Sequence, residues 1–456
     1  MRTEKFLPAV RAVAIAVLLA GCADHATRID APQTSNRSEG IGRLTAADFD
    51  AGVPLAYYQL SLNFSKLTAG FTPPVQGRAF GYMGLALYES VIGGMPDHQS
   101  VASQLHGVGS LPQANGIPYN WALVANAAMA EVMRGLWGDQ TNRASQNIAD
   151  LNSLEESLAS QYSVGVPPGI AKLSIDFGRS VGAAVYATSR DDGGDRGYTT
   201  NFPASYVPPT GPAFWVPTAT GQVAMQPFWA ARVGTLALTN ASECDPGSPP
   251  AYSEDHGSAF YAEARVDYDV SQSPLSDEQK TIARYWADGP GTISGPGHSL
   301  AIVNEIVMQQ HANLAQAAEA YARAGIADAD ALTAIWQSKY QYNLLRPVTY
   351  IRRVIDPNWT PLLPTPPFPE YVSAHSGQSA AVATTLEALF GRIPFVDHAH
   401  DADGFQPRAF DRIFDAAVEA GISRIYAGIH FPSGNVNGRA LGLCVANKVN
   451  SLSWRR

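Results

Sequence analysis

Apolar residues recur three and four positions apart over residues 77–92 (GRAFGYMGLALYESVI) and 121–136 (WALVANAAMAEVMRGL), with alanine and glycine filling the spaces between them. That period puts one face of an α-helix into a core, and the small residues let neighbouring helices approach closely. No stretch of the chain shows convincing period-two alternation, and no fixed-period repeat is present. The fold class implied is all-α: two packed helical bundles with an irregular Pro/Gly-rich excursion between them. With 456 residues, 46% of them hydrophobic and 16% charged, the chain can bury a core of that size. A net charge of -9 argues against a nucleic-acid partner, since phosphate backbones require an excess of Lys and Arg.

The chain divides by composition. Arg2, Lys5 and Arg11 precede a short apolar run that ends in Leu19-Ala20-Gly21-Cys22, so residues 1–22 read as a lipoprotein signal peptide with Cys22 as the lipidated residue. Residues 23–44 are polar and aperiodic, a flexible tether. Residues 45–245 carry the N-terminal helical bundle and the irregular segment, rich in Gly, Pro, Thr and aromatic residues from 191 to 251. Residues 246–456 form the C-terminal bundle. The localisation implied is export as a bacterial membrane-anchored lipoprotein facing the periplasm or the cell exterior, touching the membrane only through its lipid. Cys244 and Cys444 would then meet an oxidising compartment, as a disulfide or as two separate thiols.

Within the C-terminal part, Ser276-Asp277-Glu278-Gln279 has the form of a capping box and starts a helix ending near Trp286. Residues 298–324 read as one long helix and 329–345 as another, with His298 at a helix start or lining a pocket. Three short stretches then carry candidate chemistry. In the first (KYQYNLLRP), Lys339 and Arg346 lie seven residues apart, two turns of a continuous helix, so both can face one anion before Pro347 ends the helix. In the second (YVSAHS), a proline-rich approach precedes a small-residue helix, which places Ser373, Ala374 and His375 at a helix N-terminus with backbone N–H groups free for an anion. In the third (SRIYAGIH), Arg424 and His430 are six apart and converge only if the helix stops between them, a break that Gly428 and Pro432 supply.

Together, Lys339, Arg346, Ser373, His375, Arg424 and His430 in this order resemble the type 2 phosphatidic acid phosphatase superfamily. The closer resemblance is to its soluble vanadium-dependent haloperoxidase branch, and it extends to ARYWADGPGTISGPGHS, DPNWTPLLPTPPFPEY and GYMGLALYES, covering about residues 45–453. The resemblance implies a vanadate cofactor, with phosphate able to occupy the same site. Lys339, Arg346, Ser373, the Ala374 N–H and Arg424 would hold oxygens, His430 would be the metal ligand, and His375 would move protons. Trp336 and Phe368 match an aromatic wall near the halide.

The partners implied are hydrogen peroxide, a halide and a small organic acceptor. The reaction implied is oxidation of the halide to hypohalous acid. The same residues would serve a phosphomonoesterase with His430 as nucleophile, or a lipoprotein that captures phosphate ligands without turnover. Three features depart from the pattern: Ala374 stands in place of a glycine, Ser376-Gly377-Gln378 offers a competing register with Gln in place of the histidine although Phe368-Pro369-x-Tyr371 favours the first, and Gly434 stands in place of the aspartate that often orients the histidine. Asn435 and Asn437 are the candidate substitutes for that aspartate.

Overall fold

Fourteen α-helices and one small hairpin are formed among the described residues of the computed structural model, which are 44–138, 142–272 and 275–456. The signal peptide, Cys22 and nearly all of the tether lie outside the described residues. No helix among the described residues is long and apolar enough to cross a membrane.

The first half is built from α1 (Gly52–Leu67), α2 (Pro73–Val91), α3 (Trp121–Gly138), α4 (Ala144–Tyr162) and α5 (Pro168–Arg190). The excursion that follows holds only a 3-10 turn (Gly197–Thr199) and the single-turn α6 (Trp229–Arg232). Then come α7 (Ala259–Gln272), α8 (Asp277–Tyr285), α9 (Ser294–Gln309), α10 (Leu314–Tyr342), α11 (Pro347–Val354), α12 (Ala374–Phe390), α13 (Ile413–Tyr426) and α14 (Pro432–Ser451). Between α12 and α13, β1 (Phe395–Asp397) pairs antiparallel with β2 (Arg408–Phe410) in the register Phe395 to Phe410. That short sheet, in a chain without strand alternation, departs from the sequence reading. Its physical basis is local, a stacked Phe395–Phe410 pair at 5.4 Å.

The capping box at Ser276 forms as expected, its hydroxyl accepting from Gln279 N. One helix boundary differs. The sequence suggests a stop between residues 324 and 329, but α10 runs unbroken from Leu314 to Tyr342, and the stop falls at 310–313. Asn313 caps the new start, accepting from Gln316 N. Gly325, inside α10, is a packing residue: a Cβ there would sit 2.5 Å from the Phe80 carbonyl oxygen of α2. Gly84 is its counterpart on α2, where a Cβ would meet the Tyr321 carbonyl at 2.5 Å. Glycine costs a helix roughly 1 kcal/mol relative to alanine, and close contact between the two backbones offsets it.

Cys244, in the excursion, is bonded to Cys444 of α14 across 200 residues of sequence. Closing so long a loop restricts the unfolded chain strongly. Cys444→Ser is expected to lower stability by about 2–5 kcal/mol, read as a drop in the thermal midpoint that reductant produces in the parent protein but not in the variant.

Candidate active site

The C-terminal end of α10 delivers the first cation. Trp336 and Lys339 are one turn apart on the same buried face. The Lys339 ammonium donates to the carbonyls of Pro369 (3.1 Å), Glu370 (2.9 Å) and Val372 (2.6 Å), so all its protons hold the 369–372 segment in place. Burial and neighbouring Arg346 push its pKa well below the ordinary lysine value, and Glu370 pulls it back.

Lys339 and Arg346 do not share one continuous helix. Asn343 ends α10 in the left-handed region (φ 47°), and Arg346 is the N-cap of α11, with Pro347 at its first turn. The chain therefore turns between the two cations, and both still approach one place. Arg346 Nε donates to Phe368 O (2.8 Å), and Nη1 to Ile429 O (2.8 Å) and toward His430 Nε2 (3.2 Å). Nη2 is buried with no partner. The Phe368 ring lies 5.0 Å from Lys339 Nζ and 4.9 Å from the Arg346 guanidinium carbon, and 5.3 Å from Trp336. Phe368 is thus a cation–π floor under both charges as well as part of the aromatic pair.

The proline-rich approach leads to Ser373, the N-cap of α12, whose N–H donates to Gly434 O (2.9 Å) and whose hydroxyl accepts from Ser376 N. The first-turn N–H groups of α12, those of Ala374 and His375, have no intrahelical acceptors and point out of the helix start. Ala374 needs no left-handed backbone, since its φ is not among the positive values, so the methyl is accommodated without strain.

His375 Nε2–H donates to Asp288 Oδ2 (3.1 Å). Burial and Arg424 lower its pKa while Asp288 opposes them, so the ring is neutral at pH 7 and Nδ1 is left as a proton acceptor. Asp288 itself stands at φ 47° and gathers three imidazoles. Its Oδ1 also accepts from His298 Nδ1 (3.1 Å) and faces His400 Nε2 (3.0 Å). His298 Nε2 meets Asp397 of β1 (2.8 Å), and His400 Nδ1 meets Asp403 (3.0 Å). With a carboxylate on each nitrogen, His298 is an imidazolium. Burial opposes that charge, but Asp397 and Asp288 outweigh it and raise the pKa to about 10, and Trp286 stacks on the ring at 4.2 Å.

Arg424, near the end of α13, donates from Nε to Ser423 Oγ (2.9 Å) and from Nη2 to Ala283 O (3.1 Å). Burial lowers its pKa to about 10, well clear of neutrality, and Asp288 holds the charge. The break expected after Arg424 is present: α13 ends at Tyr426, Gly428 adopts φ 71°, and Pro432 opens α14. His430 sits between the two helices. Its pKa is driven well below the usual histidine value by burial first, then by Arg346, Lys339, Arg424 and His375, so the charges named from the sequence all act on one neutral ring. His430 Nδ1–H donates to Glu370 Oε1 (2.6 Å), which also accepts from Phe431 N (3.1 Å), leaving the Nε2 lone pair to face Arg346 Nη1.

Neither Asn435 nor Asn437 takes the place of the missing aspartate: Asn435 donates to Gly421 O (2.6 Å), and Asn437 bonds to the Tyr371 side chain. Glu370, Asp288 and His400 are the functional neighbours that the sequence reading missed. A signal existed for Glu370, an acid inside the otherwise apolar PFPEY segment, and such an acid must find a partner when buried.

The donor set fits a tetrahedral oxyanion. An orphaned guanidinium nitrogen, a helix N-terminus, a second buried arginine and a neutral imidazole lone pair converge, and these groups recognise phosphate and vanadate alike. Residues 319–455 match the family model described as the second helical-bundle domain of VCPO. No curated protein matches the chain. Among solved structures, it is similar to the first bacterial vanadium-dependent iodoperoxidase, with a TM-score of 0.80 and 30% identity, covering 91% of this chain and 98% of that one. It shares its fold with the holo form of a bacterial vanadium-dependent chloroperoxidase (TM-score 0.62, 16% identity, 85% of this chain and 93% of that one). The apo form gives a TM-score of 0.63 at 16% identity, with 85% and 95% covered. Likeness at that identity to the iodoperoxidase, over nearly the full length of both chains, places this protein in the vanadium-dependent haloperoxidase family.

Proposed function

We propose that this protein is an exported, lipid-tethered haloperoxidase that holds vanadate and uses hydrogen peroxide to oxidise a halide to hypohalous acid. The observation that carries the reading is the placement of His430, held by Glu370 at Nδ1 with its Nε2 turned toward buried Arg346. When bound, vanadate supplies Lewis acidity toward peroxide without changing its own redox state.

The chain's own residues do the rest. His430 Nε2 serves as the ligand, while Arg346, Arg424, Ser373 and the first-turn N–H groups of α12 hold oxygens, each charge-assisted bond contributing about 1.5–3 kcal/mol. His375 Nδ1 accepts a proton from incoming hydrogen peroxide. The halide then gives an electron pair to one peroxide oxygen, the O–O bond breaks, and the departing oxygen takes a proton back and leaves as water. The net reaction consumes one halide, one peroxide and one proton. The disulfide between Cys244 and Cys444 agrees with export to an oxidising compartment.

A phosphomonoesterase is the second reading, favoured by one observation: the Glu370 carboxylate on His430 Nδ1 is what a nucleophilic histidine would also need. One experiment separates the two. Metal-stripped protein is given orthovanadate, peroxide and iodide, the halide most easily oxidised, and iodination of a phenolic dye is followed beside hydrolysis of p-nitrophenyl phosphate. Vanadate-dependent iodination is expected. Hydrolysis that vanadate inhibits, with no iodination, would establish the phosphatase instead, and phosphate binding without either activity would leave a capture protein.

A further inference from the structure

The space behind His430 is shared by two positions far apart in sequence. Glu370 reaches it from the loop before α12, and Gly434 borders it from the first turn of α14. Glu370 is fully buried, and its Oε1 binds both the His430 ring and the Phe431 N–H. A Cβ on residue 434 would lie 2.2 Å from that same oxygen and 2.9 Å from the carboxyl carbon. Any side chain at 434 therefore collides with the Glu370 carboxylate, and only glycine leaves the carboxylate its place. Conversely, a short acid at 434 would project into the volume that Glu370 fills.

We propose that Glu370 is the positioning residue of the anion site and that Gly434 is the vacancy that admits it, so that 370 and 434 form an exchangeable pair delivering one carboxylate to His430 Nδ1. The role follows from proton bookkeeping. A carboxylate on Nδ1 fixes the tautomer with Nδ1–H, which leaves the Nε2 lone pair aimed toward Arg346 and the anion pocket. The backbone carbonyl of Glu370 accepts from Lys339, and its N–H donates to Leu344 O, so the residue is anchored to both ends of the turn that carries the two cations. The charged and titratable groups around it are Lys339, Arg346 and His430, with Glu263 and Asp267 on α7. The identity of the ligand rests on the haloperoxidase reading, but the tautomer does not.

The test compares the parent protein with Glu370→Gln, Glu370→Ala, Gly434→Asp and the double variant Glu370→Ala/Gly434→Asp. Two readouts are taken on metal-free protein: the tautomer of His430 by nitrogen NMR of histidine-labelled protein, and the Kd for orthovanadate by calorimetry. Glu370→Ala is expected to release the Nδ1–H tautomer and weaken orthovanadate binding about 10–100-fold. Glu370→Gln, nearly isosteric, is expected to fold and show a smaller loss in the same direction. Gly434→Asp alone should be damaging, and the double variant should regain the tautomer and most of the affinity. An unchanged His430 tautomer in both Glu370 variants would overturn the positioning role, and a loss that the aspartate does not recover would overturn the exchange. If the parent protein itself binds no orthovanadate, the haloperoxidase reading fails while the tautomer measurement still decides the role of Glu370.

Discussion

His430→Ala is expected to remove vanadate-dependent halogenation by at least about three orders of magnitude, equivalent to roughly 4 kcal/mol of lost transition-state stabilisation. Among the described residues, His430 is the histidine hydrogen-bonded to Arg346: His375 is directed onto Asp288, and His298 has a carboxylate on each nitrogen. The variant should nonetheless fold. The side chain removed is small, and the Glu370 carboxyl left behind already has its pKa raised to about 7 by burial, against the pull of Lys339 and Arg346, so it neutralises readily by taking a proton. The measurement is iodination at saturating orthovanadate together with the thermal midpoint. Retention of more than a few per cent of activity in folded His430→Ala would remove this histidine from the centre of the site.

The second large effect concerns stability. Asp288→Ala should destabilise the protein by about 3–5 kcal/mol, because it strips the shared carboxylate from His298, His375 and His400 and leaves an imidazolium half paired in the interior. It should also change the pH dependence. In the parent protein the folded-state pKa of His298 is raised to about 10, so its contribution is fully present below the unfolded value near 6.5 and is lost as pH rises through 10. The thermal midpoint of the parent is therefore expected to fall between pH 7 and 10. In Asp288→Ala only Asp397 remains to hold the charge, and the fall should start at lower pH and be shallower. Scans at one heating rate across that range check it, and parallel curves for the two proteins would show that the Asp288 pair does not set the slope.

The all-α architecture and the three motif stretches were legible because both are local statements about period and spacing. Ser373 at a helix start and Gly428 and Pro432 at a break stand where those local signals put them, while the Trp336–Phe368 pair was indicated by the family resemblance alone. What was not legible depends on partners distant in sequence. The stop expected between residues 324 and 329 is filled by helix packed against Phe80 at Gly325, and the turn at Asn343 is hidden inside a run that still has helical period. Lys339 looks like a free ammonium, whereas three carbonyls thirty residues away use its protons. Glu370 replaces a carboxylate from another segment altogether, and no spacing within either segment reports that. The same holds for Cys244 and Cys444, separated by 200 residues.

The unbroken α10 decides how far the catalytic half of this molecule can be treated as a portable module. Its 29 residues reach about 43 Å, from Leu314 on one side to Tyr342, with Lys339 in its last turn near the anion site, and nearly all of its surface is covered, much of it by α2. A shortened gene beginning at the 319 boundary of the family match would expose the alanine and tyrosine face that α2 covers, while losing the cap at Asn313. Inheritance of the chemistry must therefore carry the first bundle with it, and recombination that swaps the N-terminal half has to preserve the glycine contacts of α2 before it can preserve a site that lies in the far half of the sequence.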